Sequence, residues 1–267
     1  IYIYPSHFRN YMPKKDYLSR EEQRLWEYIK DKEIIDSELV KQVFPDFKQS
    51  KINKLLHNLA KKEYIRRARR DLYYNPEQLR SFHKAALRIR NGYIGLSSAL
   101  RHYNLINYED FTIFVITENF RKKIDLKGTN YTIEFIPLGK LFIGFEKRDE
   151  MYISSIEKTL FDCILKPKLV GFANITQAFY DAKIDWHKFI SFFQLTKNSS
   201  LYQRTGYLLD LMKKKTKLKV PEFVFRFLSK NIKNPVKLAP NKAQSKFNKK
   251  WLVEDNIGED KILSWWL

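Results

Sequence analysis

Gln49-Ser50-Lys51-Ile52-Asn53-Lys54-Leu55-Leu56-His57-Asn58-Leu59-Ala60-Lys61-Lys62-Glu63-Tyr64-Ile65-Arg66-Arg67-Ala68-Arg69-Arg70-Asp71-Leu72-Tyr73-Tyr74 is the stretch on which the reading of this chain turns. Ile52, Leu55, Leu56 and Leu59 fall at i, i+3, i+4 and i+7, one apolar stripe of a helix. The opposite face carries Ser50, Lys54, His57 and Lys61, with Lys51, Asn53 and Asn58 beside it. Such side chains hydrogen-bond base edges or phosphates. Asp46 with Gln49, or alternatively Ser50, offers a helix cap. Tyr64–Ala68 and Leu72–Tyr74 then read as two short strands, with Arg69-Arg70-Asp71 between them, and Asp tolerates turn geometry. Arg66, Arg67, Arg69 and Arg70 load this hairpin with positive charge.

Working outward, Ser19-Arg20-Glu21-Glu22 is a capping box that opens a helix with Leu25, Trp26 and Ile29 inward. Asp36 or Ser37 caps a second, shorter helix with Leu39, Val40, Val43 and Phe44 inward, and Pro45 ends it. Three helices on short turns followed by a hairpin predict a winged helix-turn-helix over residues 1–76, with residues 49–61 as the recognition helix.

Charge supports a polyanion partner. The 267 residues carry a net charge of +20, and its location matters more than its size. Residues 41–90 hold 14 Lys/Arg against 4 Asp/Glu, residues 211–250 hold 13 against 1, and the remainder hold 23 against 25. A basic face is the footprint of nucleic acid. The second block includes Lys213, Lys214, Lys215, Lys217, Lys219, Lys249 and Lys250. It reads either as a second binding surface, for RNA among other partners, or as a solvated lysine-rich face.

A connecting helix is predicted over residues 77–91, and a larger α+β domain over 92–267. Leu96–Leu105 reads as a helix, Phe111–Thr117 as a buried strand, and Tyr131–Ile136, Leu141–Phe145 and Met151–Ser154 as further strands of a small mixed or antiparallel sheet. A helix opens at Ser155 and ends before Pro167; the C-terminal half reads helical over 174–182, 185–196, 201–215 and 221–232. The expected fold class is therefore α+β, in two domains.

Little in the chain suggests catalysis. Eight glycines assemble neither a phosphate-cradling loop nor a dinucleotide fingerprint. His7, His57, His83, His102 and His187 are scattered, with no metal-ligand spacing. Cys163 alone excludes an intrachain disulfide and a multi-cysteine metal site, and it reads as a small core residue. Candidates for a metal-dependent nuclease include Asp149, Glu150, Glu157, Lys158 and Asp162, and Glu157 and Lys158 point about 100° apart on a helix. We therefore expect no catalytic residue, no metal and no cofactor. No apolar stretch approaches the roughly 20 residues of a membrane span, and no signal-peptide pattern is seen. A cytoplasmic protein without a membrane partner is expected.

Several strings in the second domain resemble, in order, the AbiEi-type antitoxins, winged-helix regulators of type IV abortive-infection toxin–antitoxin pairs. They are Leu96-Ser97-Ser98-Ala99-Leu100-Arg101-His102-Tyr103-Asn104-Leu105, the strand Thr112–Thr117, and Ile153-Ser154-Ser155-Ile156-Glu157-Lys158-Thr159-Leu160-Phe161-Asp162. Pro167–Gly171, Gly206-Tyr207-Leu208-Leu209-Asp210 and Lys249-Lys250-Trp251 follow. The resemblance runs from about residue 16 to Trp251. Two departures are the absence of a wing glycine at Arg70-Asp71 and Ile156 where proline is frequent. The resemblance implies a transcriptional autorepressor that binds inverted repeats in duplex DNA upstream of its own operon. It also implies an antitoxin, active in phage defence, whose C-terminal domain neutralises a nucleotidyltransferase-like toxin without requiring a stable complex. A stand-alone regulator with a ligand- or partner-sensing domain, and a DNA-directed nuclease, are the alternatives.

Overall fold

A computed structural model describes residues 17–107, 111–230, 232–240 and 246–266. His7 and the rest of residues 1–16 lie outside them. The chain is α+β and divides into two compact units. The first contains the chain up to Asn91 together with Lys122–Glu134; the second contains Gly92–Arg121 and Phe135 onward.

In the first unit, α1 (Arg20–Ile29) begins at the expected capping box: the Ser19 hydroxyl accepts from Glu22 N and the Glu22 carboxylate accepts from Ser19 N. The strand β1 (Ile34–Asp36) leads directly into α2 (Ser37–Val43), whose cap is Asp36, accepting from Glu38 N at 2.9 Å. Then come α3 (Gln49–Lys61), β2 (Arg66–Arg69), β3 (Leu72–Tyr74) and α4 (Phe82–Ile89). The three strands form an antiparallel sheet in the order β1-β3-β2. Its β2–β3 turn holds Asp71 at φ 61°, left-handed backbone that Asp tolerates. Leu25, Ile29, Ile35, Val40, Phe44, Ile52, Leu56, Leu59, Ile65 and Tyr73 form one buried cluster.

Three expectations for this unit are corrected. Neither Asp46 nor Ser50 caps α3: the N-cap is Lys48, with no side-chain hydrogen bond. On α2, Val40 and Phe44 are buried but Leu39 and Val43 are 50% and 46% exposed, because the seven-residue helix presents only one narrow face to the core. The helix expected from Glu77 begins at Phe82.

The second unit opens with β4 (Tyr93–Ile94), α5 (Leu96–His102) and β5 (Thr112–Thr117). Next in the chain come β6 (Lys122–Asp125), which belongs to the first unit, and β7 (Thr132–Pro137), then β8 (Phe145–Arg148) and β9 (Met151–Ser154) of the second. The sheet runs β6-β7-β5-β4-β9-β8, with β4 parallel to β9 and the β4–β5 and β8–β9 pairs antiparallel. Next come α6 (Ile156–Leu165), α7 (Pro167–Val170), α8 (Phe172–Asp181), α9 (Trp186–Ser191), α10 (Ser199–Lys215) and α11 (Glu222–Ser229). A second small sheet contains β10 (Val236–Lys237), β11 (Lys246–Asn248) and β12 (Val253–Asp255), before α12 (Glu259–Ile262). Leu141–Phe145, read as a strand, instead contains the end of a 3₁₀ turn (Gly139–Leu141), and β8 starts only at Phe145. Its aromatic residues Phe142 and Phe145 stack on the buried Tyr93 rather than alternating across a sheet. Pro167 begins α7, where its missing N–H costs nothing. The core here gathers Leu160, Phe161, Cys163, Phe179, Phe189, Phe193 and Trp251. Among the described residues no helix is long and apolar enough to cross a membrane.

Candidate nucleic-acid interface

The apolar stripe of α3 is buried as its spacing requires, so the opposite face is turned out. Ser50, Lys54, His57 and Lys61 are all exposed on it, and none of their side chains meets a partner among the described residues. This is an open, basic, hydrogen-bonding strip over residues 50–61, with its ends roughly 16 Å apart at 1.5 Å rise per residue.

The flanking residues differ. Lys51 pairs with Glu21 and lies 4.3 Å from the centre of the Phe47 ring. Asn58 donates to Glu22 Oε1 at 3.0 Å, and Lys62 donates to Glu22 Oε2 at 2.9 Å and to the Tyr17 carbonyl at 2.8 Å. Asn53 accepts from Gln49 Nε2 at 3.1 Å, one turn back on α3. Burial alone would raise the Glu22 carboxyl, but the bonds from Lys62, Ser19 N and Asn58 outweigh it and bring it from 4.5 to about 2. An open cleft of about 710 Å³ lies between the start of α1 and α3, lined by Glu21, Glu22, Lys51, Lys54, Asn58 and Lys62 among others.

On the hairpin, Arg67, Arg69 and Arg70 are exposed. Arg67 and Arg69 donate to backbone carbonyls, of Arg69 at 3.3 Å and of Arg70 at 3.0 Å. Arg70, 87% exposed, lies 3.5 Å from the Asp71 carboxylate. Arg66 falls on the other side of β2, with 12% of its side chain exposed and its guanidinium 3.3 Å from Glu63. The structure thus brings three of the four predicted hairpin arginines to the surface and folds the fourth inward.

The second basic block is partnered in part. Asp210 sits between Lys214 (2.8 Å) and Lys250 (2.7 Å), and Glu259 between Lys215 (3.3 Å) and Lys246 (3.5 Å), while Lys213 meets Glu222 at 3.2 Å. The Lys214 and Lys250 ammonium groups hold the Asp210 carboxyl below its usual range against the effect of burial. Lys217, Lys219 and Lys249 are exposed and meet no carboxylate among the described residues.

The carboxylates weighed for a nuclease do not converge. Asp162 is buried against Lys158, Glu157 meets Lys188 at 3.0 Å, and Asp149 lies 3.9 Å from His102. Among the described residues no group of three or more His, Cys, Asp or Glu is placed to hold a metal ion.

Sequence reasoning did not single out Glu21, Glu22 or Lys62 at this interface. The capping box named the two acids, but only as backbone partners. No protein-family model matches the chain, and no curated protein matches it significantly.

Proposed function

We propose that this protein is a winged-helix DNA-binding regulator that represses its own operon. We further propose that it serves as the antitoxin to a nucleotidyltransferase-like toxin. The observation that carries the DNA reading is the exposed strip Ser50, Lys54, His57 and Lys61 on α3, in the same unit as the exposed Arg67, Arg69 and Arg70. In this reading α1, α2 and α3 are the helix-turn-helix and its support, and β2–β3 is the wing. α3 enters the major groove, where His57 and Asn53 reach base edges and Lys54 and Lys61 meet phosphates. The arginines of the wing hold the backbone or enter the minor groove. The protein performs no covalent chemistry of its own.

The antitoxin part rests on the ordered strings beyond residue 90 that resemble the AbiEi family. Mobility shifts with the region upstream of the gene test the first part; a fragment bound no better than shuffled DNA of equal length removes the repressor reading. Co-expression with an adjacent nucleotidyltransferase-like gene tests the second. Growth rescued by this protein supports it, and toxicity that persists removes it.

A further inference from the structure

The open strip of α3 has one flank that is chained to α1. At 100° per residue, Ser50, Lys54, His57 and Lys61 span about 60° of the helix. Lys51, Asn58 and Lys62 all fall on the Lys54 side of that strip, within roughly 80° of Lys54. All three are engaged by the first turn of α1: Lys51 by Glu21, and Asn58 and Lys62 by Glu22. Among the described residues the four residues of the strip itself meet no side chain. Among the described residues the acids therefore meet α3 on one flank only, while on the other Asn53 is held within the helix by Gln49.

We propose that Glu21 and Glu22 are an internal counter-anion that keeps Lys51 and Lys62 off the phosphates of bound duplex, limiting the sequence-independent part of the affinity. The inference rests on the DNA reading above. Its physical basis is competition: an ammonium group held by a carboxylate neutralises no phosphate, so the counterion condensed on that phosphate is not released. Each lysine withheld in this way removes one contact that is the same for every sequence, and leaves base readout by the strip untouched. The two acids divide the work. Glu22 is buried and bonded to three groups, so it fixes the end of α3 against α1. Glu21 and Lys51 are about half exposed, with side-chain exposures of 49% and 40%, so their pairing can be removed without opening the core.

Fluorescence anisotropy against salt, with the upstream duplex and a shuffled duplex of equal length, tests this. Glu21→Gln is expected to tighten binding to both duplexes. It is also expected to steepen the log–log salt dependence by about 0.9, the value of one additional phosphate contact. The gain therefore shrinks about threefold between roughly 50 and 200 mM salt. Lys51→Met added to Glu21→Gln is expected to abolish the gain. An unchanged or shallower slope in Glu21→Gln overturns the proposal. So does a gain that survives Lys51→Met, which would be the effect of net charge alone. Wild-type protein that binds neither duplex removes the DNA reading and this inference with it. If Arg69→Ala/Arg70→Ala weakens a measurable wild-type affinity, the DNA reading stands and only the inference is at stake.

Discussion

Lys158 and Asp162, one turn apart on α6, form an ion pair with neither side chain exposed. The second Asp162 oxygen accepts from the Tyr93 hydroxyl at 3.1 Å, and the Lys158 ammonium lies 5.3–5.9 Å from the ring centres of Tyr93, Phe161 and Phe192. Burial raises the Asp162 carboxyl and lowers the Lys158 ammonium, each against the pull of its partner. Two desolvated charges contribute little net stability, but one alone is costly.

Lys158→Met or Asp162→Asn should therefore each destabilise the protein by about 3–5 kcal/mol. Lys158→Met/Asp162→Leu/Tyr93→Phe should recover most of that loss, because no polar group of the cluster is then left buried without a partner. Urea denaturation followed by circular dichroism checks both. A triple variant no more stable than either single change would show that the ion pair itself is a net stabiliser.

Glu22 gives a pH dependence of definite sign. Its carboxyl is held at about 2 in the folded protein against 4.5 for the free group. The stabilisation is thus complete above pH 4.5 and is lost as the pH falls from there towards 2. Acid titration of Glu22→Gln should show a flatter loss of stability across that window. A titration superimposable on the wild type would remove Glu22 as the source.

Changing Arg69 and Arg70 together to Ala should weaken binding to every duplex and flatten the salt dependence by about two units. Asn53→Ala should instead relax the preference among sequences with little change in slope. Anisotropy titrations at several salt concentrations separate the two behaviours. Equal effects of Asn53→Ala on specific and shuffled DNA would mean that Asn53 reads no base.

Gly206 lies within α10, where Ala would ordinarily be preferred by about 1 kcal/mol. A Cβ there would meet Trp251 ring carbons at 2.1–2.5 Å, and Trp251 is fully buried. Gly206→Ala should therefore destabilise by about 1–3 kcal/mol, reversing the helix preference. A raised melting temperature would show that the indole can move aside.

What could be read in advance divides along physical lines. The capping box of α1, the four-residue stripe of α3 and the turn at Asp71 depend on neighbours within one or two turns, and each is found where local rules put it. β1, β4 and β10, of three, two and two residues, are too short to display a period. Their pairing depends on partners far along the chain. Leu39 and Val43 misled for the opposite reason: a periodic apolar pattern on a helix of seven residues does not say how much of it is covered. At the interface, the strip of α3 was legible but its flanks were not. Their engagement depends on acids 30 to 40 positions away. Charge counted in windows likewise did not show the pairing of Lys214, Lys215, Lys246 and Lys250, since Asp210 and Glu259 lie outside residues 211–250.

Residues 122–134 belong to the first compact unit although the chain reaches them only after entering the second. Within that unit the Tyr74 hydroxyl donates to the Lys127 carbonyl at 2.8 Å, Phe82 stacks on Tyr131 with ring centres 3.8 Å apart, and Gly128 abuts Pro76 closely enough that a Cβ would stand 3.1 Å from it. The first unit is consequently not a cassette. A gene fragment stopping at Asn91 would encode a body with part of its own packing missing. Moving this unit to another protein through a single junction would leave residues 122–134 behind.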